Sequence, residues 1–276
     1  MISHRPPPTP LRILRALLFL AVAAAILGPI VVIASTAFKP DGEIYDFPMR
    51  LVPKHPTLDN FAKLADRFPL YTLNSIKLTA IIVLTQLVTA TTGAYAFSKL
   101  KWRRRETVFT LYLVSIMIPV QAIIIPQFLI VRNLGLYDSH WALVLTGSFT
   151  AFGTFLVKQF FQTIPDSFLE AARIDGAGEG VIFARVMLPL AKPALATQVI
   201  FSFRYFWNDF FSPLIYLTSP RLKTLPLGMA DFATETYSYV GPQMAAAFIS
   251  IIPVMLIFLA AQRYFVEGVA ASGIKG

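Results

Sequence analysis

The amino-acid sequence predicts an all-α integral membrane protein with six spanning helices and both termini, N- and C-terminal, on the cytoplasmic side. Three observations lead there. Of 276 residues, 56% are hydrophobic and 14% charged, with 24 phenylalanines; so few charges could not cover that much apolar surface in water. Several apolar stretches reach about 20 residues, the length that crosses the hydrocarbon core as a helix. Finally, when the chain is laid out on six spans, fourteen of the 24 Lys and Arg fall on cytoplasmic pieces and eight on outer pieces, the bias that sets orientation.

The elements follow in order. Residues 1–12 are a Pro-rich cytoplasmic tail. The first transmembrane helix covers 13–36, and its apolar run from Ala16 to Ala34 exceeds the roughly 7–15 residues of a cleaved leader's core, so it is expected to remain as a span. Residues 37–69 form a polar external segment punctuated by Pro40, Pro48, Pro53, Pro56 and Pro69. The second span, 74–98, ends at the basic loop Lys99–Arg105. The third, 108–131, holds Pro119 and Pro126; proline kinks the helix and frees backbone carbonyls, which must then face protein or water, so both prolines should face the bundle or a pathway. Gly147 and Gly153 in the fourth, 141–161, permit close helix approach. After the cytoplasmic loop 162–193 come the fifth span, 194–217, an outer loop, and the sixth, 243–264, with Pro253. Residues 266–276 are the C-terminal tail.

Several function classes are excluded. The net charge of +9 sits beside the cytoplasmic leaflet, where it serves topology and anionic lipid rather than nucleic acid. The absence of cysteine rules out thiolate chemistry, and His4, His55 and His140 are too far apart in sequence for a metal spacing.

The loop 162–193 is heavily punctuated. Pro165 breaks the exit of the fourth span, and Ser167-x-x-Glu170 reads as a capping box opening a short helix. Gly176 can end that helix in the left-handed conformation. A second short helix, about Gly180 to Leu188, runs to Pro189, and Pro193 falls in the first turn of the fifth span. The small side chains of Ala171, Ala172, Gly176 and Ala177 are expected to let another protein approach the backbone. Gly176-Ala-Gly178-Glu-Gly180 is no nucleotide loop, since the Gly-x-Gly-x-x-Gly spacing and a preceding strand are both missing.

Glu170-Ala171-Ala172-x-x-Asp175-Gly176-Ala177, followed by Phe183, Leu188-Pro189 and Pro193, resembles the EAA loop of ATP-binding-cassette (ABC) importer permeases. From about residue 70 to 265 the chain is similar to the type I ABC importer permease domain of the carbohydrate-uptake class, in particular the smaller permease of maltose-type importers. Asn74-Ser75, Ala94-Tyr95-Ala96-Phe97, Ile118-Pro119, Trp207-Asn208-Asp209 and Gly273–Gly276 add to the likeness. The resemblance implies a non-catalytic subunit of the prokaryotic cytoplasmic membrane that pairs with a second permease as a heterodimer. It also implies two cytoplasmic ATPase subunits, which bind the ATP and Mg while this chain binds no cofactor, and an extracytoplasmic solute-binding protein. Glu170, Ala171, Ala172, Asp175, Gly176, Ala177 and Pro189 would be the ATPase-coupling residues, and Gly273, Lys275 and Gly276 would reach between the ATPase subunits.

Within the spans, Arg204, Asn208, Asp209 and Gln121 are candidates to line the pathway, with Gln127, Gln86 and Thr89 comparable, because intramembrane polar groups face a cavity or a partner. The aromatic residues around them, among them Phe201, Tyr205, Trp207 and Phe210, suit sugar stacking but also ordinary helix packing. An ion-coupled secondary transporter is the alternative; it favours paired broken helices and intramembrane acids on a repeat axis, whereas only Asp209 is a plausible buried acid here and no repeat is evident. A membrane-embedded enzyme would need a His, Asp, Glu or Ser constellation within the spans, and the sequence offers none.

Overall fold

A computed structural model describes residues 9–234 and 240–273. Most of the described residues are helical, with no strand among them. The longer helices are α1 (Thr9–Ala37), α2 (Phe68–Ser98), α3 (Arg105–Val114), α4 (Val120–Asn133), α5 (His140–Gly147), α6 (Ala151–Thr163), α7 (Ser167–Ile174), α8 (Glu179–Leu190), α9 (Lys192–Trp207), α10 (Phe211–Tyr216), α11 (Leu225–Thr234) and α12 (Val240–Gly273). By length and composition Leu11–Ala37, Phe68–Ser98 and Val240–Ala260 can each cross a membrane unbroken. Three further candidates are bent pairs: 100° between Arg105–Met117 and α4, 41° between α5 and α6, and 78° between α8 and α9.

The proline kink expected in 108–131 is a full break, while 141–161 and 194–217, each expected as one helix, are respectively bent and interrupted. At Pro119 the ring forbids the α conformation to the residue before it; Ile118 is extended at φ −86°, ψ 112°, and α4 starts afresh after Pro119. Pro126 lies inside α4. The expected fifth span is two helices, because α9 stops at Trp207 and α10 begins at Phe211. At 16 residues, α9 covers about 24 Å, short of the roughly 30 Å hydrocarbon core.

The chain divides into two units. Residues 1–69 with 229–252 form one. There the buried Asn60 amide donates to the carbonyls of Ala37 (3.0 Å) and Lys39 (2.7 Å), tying the end of α1 to the segment after it. Phe38 packs against Phe61 and Phe248, with ring centroids 5.0 and 5.9 Å away. Most of α1 presents its apolar side chains outward, as a helix immersed in lipid or covered by another chain does.

Residues 70–228 with 253–276 form the other unit, and α2 runs through two apolar clusters within it. Leu78 and Ile82 pack with Val131, Leu143, Tyr216 and Leu227. About four turns further along, Ala94 and Tyr95 pack with Val157, Phe161, Leu169, Ile182 and Met187. Asn74 and Ser75 pin the segment before α11: Asn74 Nδ2 donates to the carbonyls of Arg221 (2.9 Å) and Lys223 (3.0 Å), and Ser75 Oγ accepts from the amide of Leu225 (2.7 Å).

Candidate functional site

Between the two clusters lies a polar layer. The bend between α5 and α6 leaves carbonyls that no helical partner can satisfy, and at membrane depth protein must supply the donors. Gln86 Nε2 donates to the carbonyl of Gly147 at 2.7 Å and Thr89 Oγ1 to that of Ser148 at 2.7 Å. The α6 side of the break is capped by Thr150, whose hydroxyl accepts from the amide of Gly153 at 3.0 Å. The chain of contacts continues into α9. Ser202 Oγ donates to Gln86 Oε1 at 2.7 Å, and Gln198 Nε2 donates to Ser202 Oγ at 3.0 Å. Gln198 Oε1 is buried without a donor among the described residues. Gly153 is what allows this fit: a Cβ there would lie 2.3 Å from Gln198 Nε2 and 2.4 Å from its Oε1.

This layer forms one wall of a cavity of about 1020 Å³. Gln86, Gln127, Gln198 and Ser202 contribute amides and a hydroxyl, Phe149, Phe201, Tyr205 and Phe210 contribute rings, and Arg204, Asn208 and Asp209 also line it. Three of the four predicted pathway residues are thus brought together. Gln121 is not among the lining residues and stands exposed in the first turn of α4. Asn208 and Asp209 are also not mid-helix, as expected from sequence, but make the break: Asn208 Nδ2 donates to the carbonyl of Arg204 (2.8 Å), and Asp209 Oδ1 accepts from the amide of Ser212 (3.1 Å). Local backbone satisfaction thus accounts for both residue types before any ligand is invoked. Sequence reasoning missed Gln198 and Ser202, although their spacing of four puts both on one helical face.

The second feature is the elbow of α7 and α8. The helix α7 ends in a complete Schellman turn: Gly176 takes φ +81°, its amide donates to the carbonyl of Arg173 (3.0 Å), and the amide of Ala177 donates to that of Ala172 (2.9 Å). Ala172 and Ala177, the apolar pair that accompanies such a turn, pack inward on the cluster around Leu169 and Ile182. This corrects the expectation of a four-residue small surface, because only Ala171 and Gly176 of the four are exposed.

The capping box is corrected too. Asp166 is the cap residue and Ser167 the first helical one. Backbone carbonyls already take the first-turn amides, Pro165 from Phe168 and Asp166 from Leu169 and Glu170. The Glu170 carboxylate is therefore exposed, with no ion pair among the described residues. The Asp166 carboxylate meets Lys99 at 2.5 Å, which holds its pKa below the usual carboxylate range; Lys99 also donates to the carbonyl of Ile164 at 2.7 Å. Pro189 does not end the second helix. A π turn over Phe183–Met187 precedes it and the helix runs to Leu190, since widening the turn spares the clash between a proline ring and the carbonyl four residues back. Asp175 closes α7, and Asp175 and Pro189 are exposed. Outward from the elbow point Phe168, 51% exposed, and Ile174, 86% exposed. The helix α12 is described as far as Gly273, and Lys275 and Gly276 lie outside the described residues.

A polar cavity walled by bent helices, in a chain with up to six candidate spans and an elbow of uncovered apolar side chains, fits the membrane subunit of a transporter. Residues 86–270 match the family described as "binding-protein-dependent transport system inner membrane component". The chain belongs to this family, and is accordingly a non-catalytic, multi-pass component of a transport system. It is 33% identical to the galactooligosaccharides transport system permease protein GanQ of Bacillus subtilis, over 96% of each chain. It is 32% identical to the sn-glycerol-3-phosphate transport system permease protein UgpE of Yersinia pestis, over 90% of this chain and 92% of that one. Among solved structures, a chain of a bacterial ABC transporter involved in import of the acidic polysaccharide alginate superposes with a TM-score of 0.86 at 28% identity, covering 95% of this chain and all of that one.

Proposed function

We propose that this chain is one half of the membrane channel of an ATP-driven importer for a carbohydrate or related solute, in the cytoplasmic membrane of a prokaryote. A second permease forms the other half, and an extracytoplasmic binding protein delivers the solute. Two cytoplasmic ATPase subunits carry ATP and Mg; this chain holds neither. Both termini are cytoplasmic, and the tail residues Gly273, Lys275 and Gly276 reach between the ATPase subunits.

The observation that carries the coupling is the elbow. Phe168 and Ile174 are apolar and uncovered beside the unpaired Glu170, on a helix whose inner face is already committed to Leu169; exposed apolar side chains rimmed by charge suit a protein partner. Glu170, Ala171, Asp175, Gly176 and Pro189 face that partner, while Ala172 and Ala177 support them from within. Supporting a sugar-like solute, the cavity combines amides and hydroxyls with aromatic rings, which together suit polyhydroxylated rings, and relatives are named for oligosaccharides.

Purification of the tagged chain with its co-expressed neighbours tests the reading. An ATPase subunit is expected to copurify, and ATP hydrolysis in proteoliposomes to respond to a panel of oligosaccharides presented with the binding protein. A chain without an ATPase partner, whose transport survives ATP depletion, would be an ion-coupled transporter instead.

A further inference from the structure

Glu179 begins α8, on the far side of the Gly176 turn from α7, and both of its carboxylate oxygens are engaged. Oε1 accepts from Arg173, at 3.0 Å from Nε and 2.9 Å from Nη2. Oε2 accepts a short hydrogen bond from the hydroxyl of Tyr95, 84 residues away in sequence. Tyr95 stands near the end of α2, is 5% exposed, and is wedged edge-on against Phe161 and at a tilt against Phe183. Its ring is therefore fixed by apolar neighbours, and its hydroxyl is the atom that leaves the spanning helix for the elbow. The carboxyl of Glu179 is held below its ordinary pKa, first by the Tyr95 hydroxyl and then by Arg173, against its partial burial.

We propose that Glu179 is the joint that fixes the elbow to the spanning bundle, with Tyr95 as its anchor on α2 and Arg173 as its brace on α7. The inference rests on the importer reading above and deepens it. The docking surface on α7 is a short helix between a proline and a glycine, and on its own it would tilt when pushed. Through Glu179, a force on α7 reaches Arg173, crosses the turn to α8, and enters α2 at Tyr95, the helix that also supplies Gln86 to the cavity wall. The Lys99–Asp166 contact ties the start of α7 to the same end of α2, so the elbow is held at two points and cannot rotate about one. Tyr95 and Glu179 are thus positioning residues that touch neither solute nor nucleotide.

The test uses the whole complex in proteoliposomes, with the binding protein and a mixed pool of galacto- and arabino-oligosaccharides as the probe. In Tyr95→Phe, which removes one oxygen atom, the ATPase subunits copurify and hydrolysis without binding protein is unchanged, but stimulation by loaded binding protein falls by about tenfold, the scale set by a lost hydrogen bond to a charged group. Glu179→Ala gives the same loss, the double variant loses no more than either single one, and Glu179→Gln, which keeps an acceptor for Tyr95, retains more stimulation than Glu179→Ala. Should Glu179→Ala fail to assemble, Tyr95→Phe decides alone. Stimulation within about twofold of wild type in an assembled Tyr95→Phe complex overturns the joint while leaving the importer reading intact. A wild-type complex that recruits no ATPase overturns both.

Discussion

Replacing Gly153 by alanine puts a methyl carbon 2.3 Å from Nε2 and 2.4 Å from Oε1 of Gln198. Ordinary contacts need about 3.5 Å, so the Gln198 amide must retreat by about 1 Å, and its 3.0 Å bond to Ser202 is lost. A net hydrogen bond is worth about 1 kcal/mol, and an off-rotamer side chain costs about another 1 kcal/mol. Against this, alanine is favoured over glycine inside a helix by about 1 kcal/mol. The expected outcome is a net loss of about 1 kcal/mol in the native background and a gain of about 1 kcal/mol where Gln198 has first been cut back to alanine. Denaturant unfolding of the purified chain in detergent, run as a double-mutant cycle with Gln198→Ala, reads the difference. The change of sign is the signature. An equal effect of Gly153→Ala in both backgrounds would refute the contact between Gly153 and Gln198 as the reason for glycine there.

Three further outcomes are expected. Gly176→Pro cannot adopt φ +81°, so the variant should insert in the membrane yet hydrolyse ATP without transport; normal uptake would sink the coupling assignment, and Gly176→Asn, which tolerates that region, should stay near wild type. Asp138, between α4 and α5, accepts from the amides of Thr218 (2.8 Å) and Ser219 (2.9 Å) and from the Ser219 hydroxyl, and its pKa is lowered, chiefly by that hydroxyl. Its stabilisation is accordingly present above the ordinary carboxylate pKa and lost as pH falls through the depressed value; Asp138→Asn should flatten the acid side of a stability–pH curve, and an unchanged curve would disprove it. Arg204→Gln should lower uptake while leaving the amount of membrane-inserted protein unchanged, and it is read by transport assays on matched vesicles; full uptake would remove Arg204 from the pathway.

Local chemistry was legible wherever one short stretch contains the whole reason for a conformation. Gly176, two residues past the end of α7 in the left-handed conformation, is such a case. So is the break that Pro119 imposes, although its 100° angle depends on what the two halves pack against. The misreadings share a cause as well. Ser167 and Glu170 have the spacing of a capping box, but Pro165 and Asp166 start the turn one residue earlier, and the backbone takes the amides that the side chains would have satisfied. Asn208 and Asp209 look like costly polar groups within a helix; with Pro213 just beyond, they are instead the residues that allow the helix to stop. Contacts between distant parts of the chain had no signature at all. Nothing near Tyr95 marks Glu179 as its partner, and nothing near Gln86 marks Ser202.

Such distant contacts converge on α2, and this bears on how the two halves of the site can communicate. Gln86 and Thr89 hold the carbonyls freed by the α5–α6 bend, while Tyr95 and Lys99 hold the elbow. From Gln86 to Tyr95 is nine residues, about 13 Å along a helix. The helix α2 is unbroken from Phe68 to Ser98, with no interior proline in that stretch, so over this distance it transmits displacement with little bending. The bent helices on either side do the opposite. Their breaks at Ser148–Thr150 and at Asn208–Phe210 are held by side chains rather than by helical hydrogen bonds, and such contacts can be exchanged for others at small cost. On the importer reading proposed above, a stiff helix tied at one end to the elbow, and along its length to hinges lining the cavity, would turn a push on α7 into a change of cavity shape without requiring any spanning helix to unfold.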